Sequence, residues 1–195
     1  MLIDHVILAA ADLDAAAARL EAEHGLVATG GGRHDGLGTH NRIVPLGGGY
    51  LELMAVADPE EAAGSPFGRL LAERIAALGA GRGGLMAWCV AVPDVERTAE
   101  RLGTELFVVA RDGLSSRVTG VESALSDPSL PFFITRDPGV ADPGAGADEG
   151  GITWVEVAGN ARRLADWLGG EHLPVRVVDG PPTLRAVGIG DRELR

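Results

Sequence analysis

Asp4-His5-Val6-Ile7-Leu8-Ala9, followed by a polar cap at Asp12 and then by Leu13, Ala16, Ala17 and Leu20, is the stretch that sets the architecture. The first six residues make a short apolar strand, and apolar positions spaced i, i+3, i+4, i+7 make one face of a helix. The same strand, cap and stripe return twice. Trp88-Cys89-Val90-Ala91-Val92 precedes the cap Asp94 and the stripe Val95, Thr98, Ala99, Leu102, and Trp154-Val155-Glu156-Val157 precedes Asn160 and Ala161, Leu164, Ala165, Leu168. A βα start repeated three times predicts a repeated module.

Working outward, Gly25 ends the first helix and Leu26-Val27-Ala28 reads as a strand leading into the glycine-rich residues 30–36. Asn41-Arg42-Ile43-Val44-Pro45-Leu46 and Tyr50-Leu51-Glu52-Leu53-Met54-Ala55 flank Gly47-Gly48-Gly49, a hairpin signal. The first module is therefore βαβββ. Ser65-Pro66 offers a cap and a proline at the first helical position for a linking helix that runs to Gly79. The second copy has strand candidates at Leu106-Phe107-Val108-Val109, Ser116-Arg117-Val118 and Phe132-Phe133-Ile134-Thr135. Asp137 to Gly151 shows no periodicity and reads as a mobile acidic loop. The third copy has one strand fewer. The expected class is α+β: a βαβββ module over 1–57, a linker with a helix over 58–83, a second such module over 84–137, the loop over 138–150, and a truncated β-α-β-β module over 151–195.

Composition removes several chemistries. Of 195 residues, 46% are apolar, enough for a core, and the formal charge is −11. All 17 basic residues are arginine. Without lysine there is no Schiff-base or pyridoxal-phosphate chemistry and no Walker-type phosphate loop. An acidic chain without basic clusters repels a phosphate backbone, so nucleic acid is not an expected partner. The lone Cys89 forms no internal disulfide and reads as a reduced, buried thiol. With no export signal and no apolar run near the ~20 residues of a membrane span, the expected location is cytoplasmic, away from membranes. Gly79-Ala80-Gly81-Arg82-Gly83-Gly84 matches GxGxxG, but with a helix before it and a strand after it reads as a linker, and no nucleotide cofactor is expected.

His5 and Glu52 are the pair that points to chemistry, each a polar residue inside an apolar strand. With a right-handed crossover, the first strand and the last strand of the hairpin become neighbours, and the two side chains share a face. Such a pair binds a divalent metal, forms an acid–base dyad, or makes a buried structural hydrogen bond. If the turn centres on Gly48, Val44 stands opposite Glu52, and Arg42 and His40 share that face; a one-residue slip substitutes Asn41. His40, Asn41, Arg42, Arg117 and Trp88 are the candidate substrate contacts, with Arg111 a further arginine for an anionic group. His34 reads as a lid or exposed loop residue, and His24 and His172 as helix-end residues. There is no GxSxG, paired CxxC or HExxH motif.

Together, Asp4 to Ala9, the cap Asp12-Leu13-Asp14, the run Gly36-Leu37-Gly38-Thr39-His40-Asn41 and Tyr50-Leu51-Glu52-Leu53 resemble the vicinal oxygen chelate superfamily, and most of all its glyoxalase-like branch. The first copy carries the resemblance over residues 1–57, and the second carries it in outline. It implies paired βαβββ modules whose mixed, curved sheets enclose a cavity. The superfamily includes glyoxalase I, extradiol dioxygenases, methylmalonyl-CoA epimerase, fosfomycin-modifying enzymes and bleomycin-binding proteins. Its metalloenzymes take ligands from the first and last strands of modules, which correspond here to His5 and Glu52. With His40 or His34 as a further donor, the resemblance implies one divalent ion: Zn, Ni, Mn or Fe. Counting seven residues back from each cap gives His5, Ala87 and Thr153, and around the position of Glu52 the later copies have Phe132-Phe133 and Ala186-Val187.

Two functions follow as expectations. The first is an enzyme of lyase, isomerase or dioxygenase type acting on a small oxygenated metabolite, with Glu52 and His5 as its catalytic groups and a metal polarising the substrate oxygen. The second is a metal-free protein that binds or sequesters a small molecule in the same cavity, completing its groove across a homodimer.

Overall fold

The computed structural model describes residues 1–78, 84–111 and 114–195, with the side chains of Pro66, Phe67, Ala110, Arg111 and Leu114 outside the description. The GxGxxG stretch falls almost wholly outside the described residues, as does the Arg111 side chain.

The first copy folds as β1 (Leu2–Ala9), α1 (Leu13–His24), β2 (Arg33–His34), β3 (Thr39–Pro45) and β4 (Tyr50–Val56). Helices α2 (Pro59–Ala63) and α3 (Pro66–Ala77) follow. The second copy is β5 (Gly84–Ala91), α4 (Val95–Leu102), β6 (Leu106–Arg111), β7 (Leu114–Thr119), α5 (Val121–Ser126) and β8 (Phe132–Arg136). The third is β9 (Ile152–Ala158), α6 (Ala161–Trp167), β10 (Val175–Val178), β11 (Thr183–Ile189) and β12 (Arg192–Leu194). Each repeated cap works as one: Asp12, Asp94 and Asn160 accept hydrogen bonds from the amides of Ala15, Arg97 and Arg163.

The first two copies share an eight-stranded sheet of order β2-β3-β4-β1-β5-β8-β7-β6. Within each, the first strand runs parallel to the last, and β1 meets β5 antiparallel at the junction. The edge strands β2 and β6 touch, so the sheet curves nearly to closure. Side chains alternate across it. On the outer face, Val6, Leu51, Leu53, Trp88, Val90 and Phe133 pack with α1 and with Val155, Val157, Val187 and Ile189 of the third copy. On the inner face, Ile7, Met54, Ala87, Cys89, Phe132 and Ile134 pack with Leu71 and Ile75 of α3 and Val121, Ala124 and Leu125 of α5. The third copy keeps a sheet of its own, ordered β10-β9-β11-β12, in which β9 runs parallel to β10. Among the described residues no helix is long and apolar enough to cross a membrane.

Two local readings change. No strand forms at Leu26 to Ala28; the glycine-rich stretch itself runs beside β3, with Thr29 N–H donating to Ile43 O, Ile43 N–H to Gly30 O and Asn41 N–H to Gly32 O. A Cβ at Gly31 would stand 1.9 Å from Asn41 O, so only glycine allows this approach. The hairpin register also differs by one residue from a turn centred on Gly48. The loop holds Leu46 to Gly49, Pro45 pairs with Tyr50, and Ile43 rather than Val44 stands opposite Glu52. Residues 137–151 cross back over this turn, Gly47 N–H donating to Gly144 O at 2.8 Å and Ile152 N–H to Gly48 O at 2.8 Å.

Candidate active site

A cavity of about 280 Å³ lies against the inner face of the curved sheet. Its two walls differ in chemistry. The first module supplies His5, His34, Asn41, Tyr50 and Glu52 among Ile7, Ile43 and Met54. The second supplies Ala87, Val109, Val118, Phe132 and Ile134, with Ser116 and Arg136 as its polar members. Leu37, Leu71 of α3, Val121 and Leu125 of α5, and Val140, Ala141 and Pro143 of the crossing segment complete the lining.

The polar groups form one connected chain. Arg136 donates from Nη1 to Asp4 Oδ2 at 2.5 Å and from Nη2 to Asp4 Oδ1 at 2.6 Å, and approaches the Tyr50 hydroxyl at 3.3 Å. His5 Nδ1–H donates to Asp4 Oδ1 at 2.6 Å, which leaves Nε2 facing Glu52 Oε2 at 3.5 Å. The imidazole is stacked on Tyr50 with ring centroids 4.6 Å apart, and Phe132 meets it edge-on. At the other carboxylate oxygen, Asn41 Nδ2–H donates to Glu52 Oε1 at 2.5 Å. The Gly32 amide donates to Asn41 Oδ1, fixing the side-chain amide so that its NH₂ faces Glu52 and His34 Nε2, the latter at 3.2 Å. A donor aimed at His34 Nε2 requires a lone pair there. His34 is therefore neutral, its Nδ1–H directed to Thr39 Oγ1 at 2.9 Å.

Asp4 precedes His5 in the chain and by simple alternation belongs on the opposite face. It reaches the same side because β1 carries a bulge: Ile3 pairs with Val90 and His5 with Cys89, so Asp4 is the extra residue. Burial alone would raise the Asp4 carboxyl, but the hydrogen bonds and positive charge of His5 and Arg136 outweigh it and hold the group well below the usual carboxylate range. Burial alone would lower the Arg136 guanidinium, but hydrogen bonding to and the charge of Asp4 lift it above its usual range. Burial, with the charges of Glu52 and Asp4, pushes the Tyr50 phenol up, so it stays neutral. Burial likewise pushes the Cys89 thiol up and keeps it protonated.

The register decides where the other candidate residues stand. His5 and Glu52 come together, stepped along their strands because His5 pairs with Tyr50 and Ile7 with Glu52. Asn41 joins them, since it shares a face with Ile43 opposite Glu52. His40 and Arg42 do not: they face the other side of the sheet, beside Thr29 and Asp14, where Arg42 is paired with Asp14. Arg117 is turned outward between Ser116 and Val118, toward Glu96 and Asp137. Trp88 is fully buried on the outer core face, away from the cavity. His34, expected as a loop residue, is buried in β2 beside Asn41 and Glu52. Asp4, Tyr50 and Arg136 are members of the site that the candidate set lacked.

A resident divalent ion needs about three or four protein donors. His5 Nε2 and Glu52 Oε2 are two. In the second module Cys89 corresponds to Ile7 by distance from the cap, and its β8 partner is Phe132, so the positions matching His5 and Glu52 hold Ala87 and Phe132. His34 Nε2 already accepts from Asn41. Asp4, His5 and Cys89 place one ligand atom each within 4.8 Å of one another, but both Asp4 oxygens accept from Arg136 and His5 Nδ1 is bonded to one of them. These residues do not fit a resident metal, and His40 cannot supply the third donor from the other face.

A model of the glyoxalase-like domain family matches residues 3–171. Among solved structures, a hypothetical protein from Staphylococcus aureus superposes with a TM-score of 0.69 at 19% identity, covering 94% of this chain and 87% of its own. A variant of Streptomyces coelicolor methylmalonyl-CoA epimerase, in complex with 2-nitronate-propionyl-CoA, gives 0.52 at 18% identity and covers 72% of this chain and 98% of its own. The methylmalonyl-CoA epimerase from Mycobacterium tuberculosis gives 0.50 at 20% identity, over 71% of this chain and 88% of its own. At these identities the likeness is one of fold. No protein of curated function matches the chain in sequence.

Proposed function

The chain belongs to the glyoxalase-like domain family, in the vicinal oxygen chelate superfamily, and from that premise we propose that it is an enzyme that moves a proton on a small carbonyl-bearing metabolite, as an isomerase or lyase. The observation that carries this reading is the run Asp4–His5–Glu52, in which a carboxylate orients an imidazole whose second nitrogen faces a second carboxylate across 3.5 Å. An imidazole whose one ring nitrogen is committed to Asp4 and whose other faces a carboxylate is the arrangement of an acid–base pair. The pair therefore supplies both halves of acid–base catalysis. With a proton on His5 Nε2, the imidazolium donates to the substrate carbonyl oxygen while Glu52 removes the proton from the adjacent carbon; Glu52 then returns that proton on the same face to the γ carbon of a β,γ-unsaturated ketone while His5 recovers its own from the enol oxygen, or a leaving group departs from the β carbon.

The other residues keep this pair in order. Asp4 selects the His5 tautomer, Asn41 fixes the rotamer of Glu52, and the stacked Tyr50 limits rotation of the imidazole. Two of the structural neighbours are epimerases by name, which supports the isomerase reading.

The test is solvent deuterium incorporation at the carbon next to the carbonyl, followed by NMR over a panel of small ketones. The wild type is expected to exchange one of them, and Glu52→Gln to lose about 10²- to 10⁴-fold in rate. Ketones that bind the wild type without exchanging above the Glu52→Gln background would instead leave a binding protein.

A further inference from the structure

We infer that the cavity selects an uncharged, largely hydrocarbon compound of about a dozen nonhydrogen atoms carrying a single carbonyl or hydroxyl head, and excludes carboxylates and phosphates. This rests on the reading above that the cavity is the reaction site.

Charge decides the head group. Among the described residues Arg136 is the one guanidinium in the cavity lining, and both of its terminal nitrogens donate to Asp4, one of them also approaching the Tyr50 hydroxyl. Glu52 meets the Asn41 amide and two imidazoles, of which His34 is neutral. The cluster of Asp4, Glu52, Arg136 and His5 thus carries zero net charge if His5 is protonated and −1 if it is not. With His5 unprotonated, an anionic ligand adds a second negative charge that nothing on the walls compensates; with His5 protonated, the imidazolium is held between Asp4 and Glu52, and the anion still meets the buried Glu52 carboxylate. At about 10 Å and an effective dielectric of ~20, that repulsion alone is worth roughly tenfold or more in Kd.

The opposite wall decides the body. Ala87, Val109, Val118, Phe132 and Ile134 offer no hydrogen-bond partner from their side chains, so a ligand atom there must be apolar to escape a desolvation cost. An apolar cavity of about 150 Å³ holds a benzene ring, and 280 Å³ holds roughly twice that content. A polar head at Glu52 and His5 with a branched or ring-bearing tail against Phe132 and Ile134 matches both walls.

The experiment uses a matched pair on the wild-type protein, benzylacetone and hydrocinnamate, which differ by a methyl group against a carboxylate oxygen. Binding is read by NMR titration at neutral pH, with shifts assigned to Ile7, Met54 and Ile134. Benzylacetone is expected to bind at least about tenfold more tightly, and Glu52→Gln to narrow that gap. Hydrocinnamate binding as tightly as the ketone, or neither compound shifting the cavity methyls, overturns the inference. Failure of the reaction itself reads differently: a kept preference for the ketone without deuterium exchange refutes the proton-transfer proposal and leaves the ligand class standing.

Discussion

Arg136→Met tests whether the two modules are held in one site by charge. Arg136 closes β8 and Asp4 lies in the β1 bulge, so their double hydrogen bond joins residues 132 apart in sequence. The guanidinium is 17% exposed and the carboxylate 8%. Methionine keeps the length of the side chain but leaves Asp4 charged, buried and supported by His5 alone. Breaking one partner of such a pair costs about 3–5 kcal/mol, and the partial exposure of Arg136 argues for the lower end, about 3. For a domain of this size that corresponds to a fall in Tm of about 6–12 °C. The pH dependence has a definite sign. Asp4 is depressed in the folded protein, so its contribution is fully present above its unfolded value near 4 and is lost as the pH falls through the lower folded value. The variant keeps only the part of that depression that His5 supplies, so the gap between the two proteins is widest near neutral pH and narrows as the pH falls toward and below about 4. Urea denaturation at neutral pH and at about pH 3.5 measures both quantities. A cost under about 1 kcal/mol, or a gap that does not change with pH, refutes the reasoning. Adding Asp4→Asn to Arg136→Met should cost less than the sum of the single changes by about 2 kcal/mol, since the pair is then removed together.

Three further outcomes follow. His40→Ala leaves deuterium exchange unchanged because its side chain is on the far face, whereas Asn41→Ala, which strips Glu52 of its amide donor, lowers the rate about tenfold or more; equal effects would refute the register. Ala87→His combined with Phe132→Glu supplies the two donors that the second module lacks, so added Zn or Ni should raise the thermal stability of that variant by about 2.7 kcal/mol at a hundredfold excess over Kd, while the wild type shows no such rise. Gly144→Ala places a Cβ 2.3 Å from Gly49 O and must push the crossing segment off the hairpin turn. It should cost about 1–3 kcal/mol in urea denaturation and speed hydrogen exchange at the Gly47 amide, and a neutral result would show that the segment is not seated there.

The fold was legible because its signal is long and repeated. Three caps and three helical stripes each span enough residues for periodicity to speak, and the pairing of β1 with β4 follows from the handedness of the crossover. The site was legible only where it obeys the same periodicities. His5 and Glu52 stood out as polar residues in apolar strands. Asp4 did not, because alternation assigns it to the other face and only the bulge opposite Val90 and Cys89 turns it inward. Arg136 shares the face of Phe132 and Ile134 by period two, so ending the expected strand at Thr135 left it out by one residue. The choice between His40 and Asn41 rested on whether the turn holds an odd or even number of residues, which three consecutive glycines do not reveal. His34 sits in a strand of two residues, too short for any pattern.

The asymmetry of the two modules has a physical consequence. A buried site with two carboxylates, Asp4 and Glu52, needs positive charge to exist at all. A metal ion held by both modules would meet that need, but it demands donors where this chain has Ala87 and Phe132. Here the second module supplies Arg136, four residues beyond Phe132 on the same strand face, and in the proposed reaction a proton on His5 supplies the rest. With the guanidinium bound to Asp4, the proposed reaction assigns substrate polarisation to the His5 proton. That ties the reaction to the protonation of one imidazole. It also makes Arg136, which need never touch the substrate, the residue whose loss should disturb the Asp4–His5 geometry and the stability of the fold together.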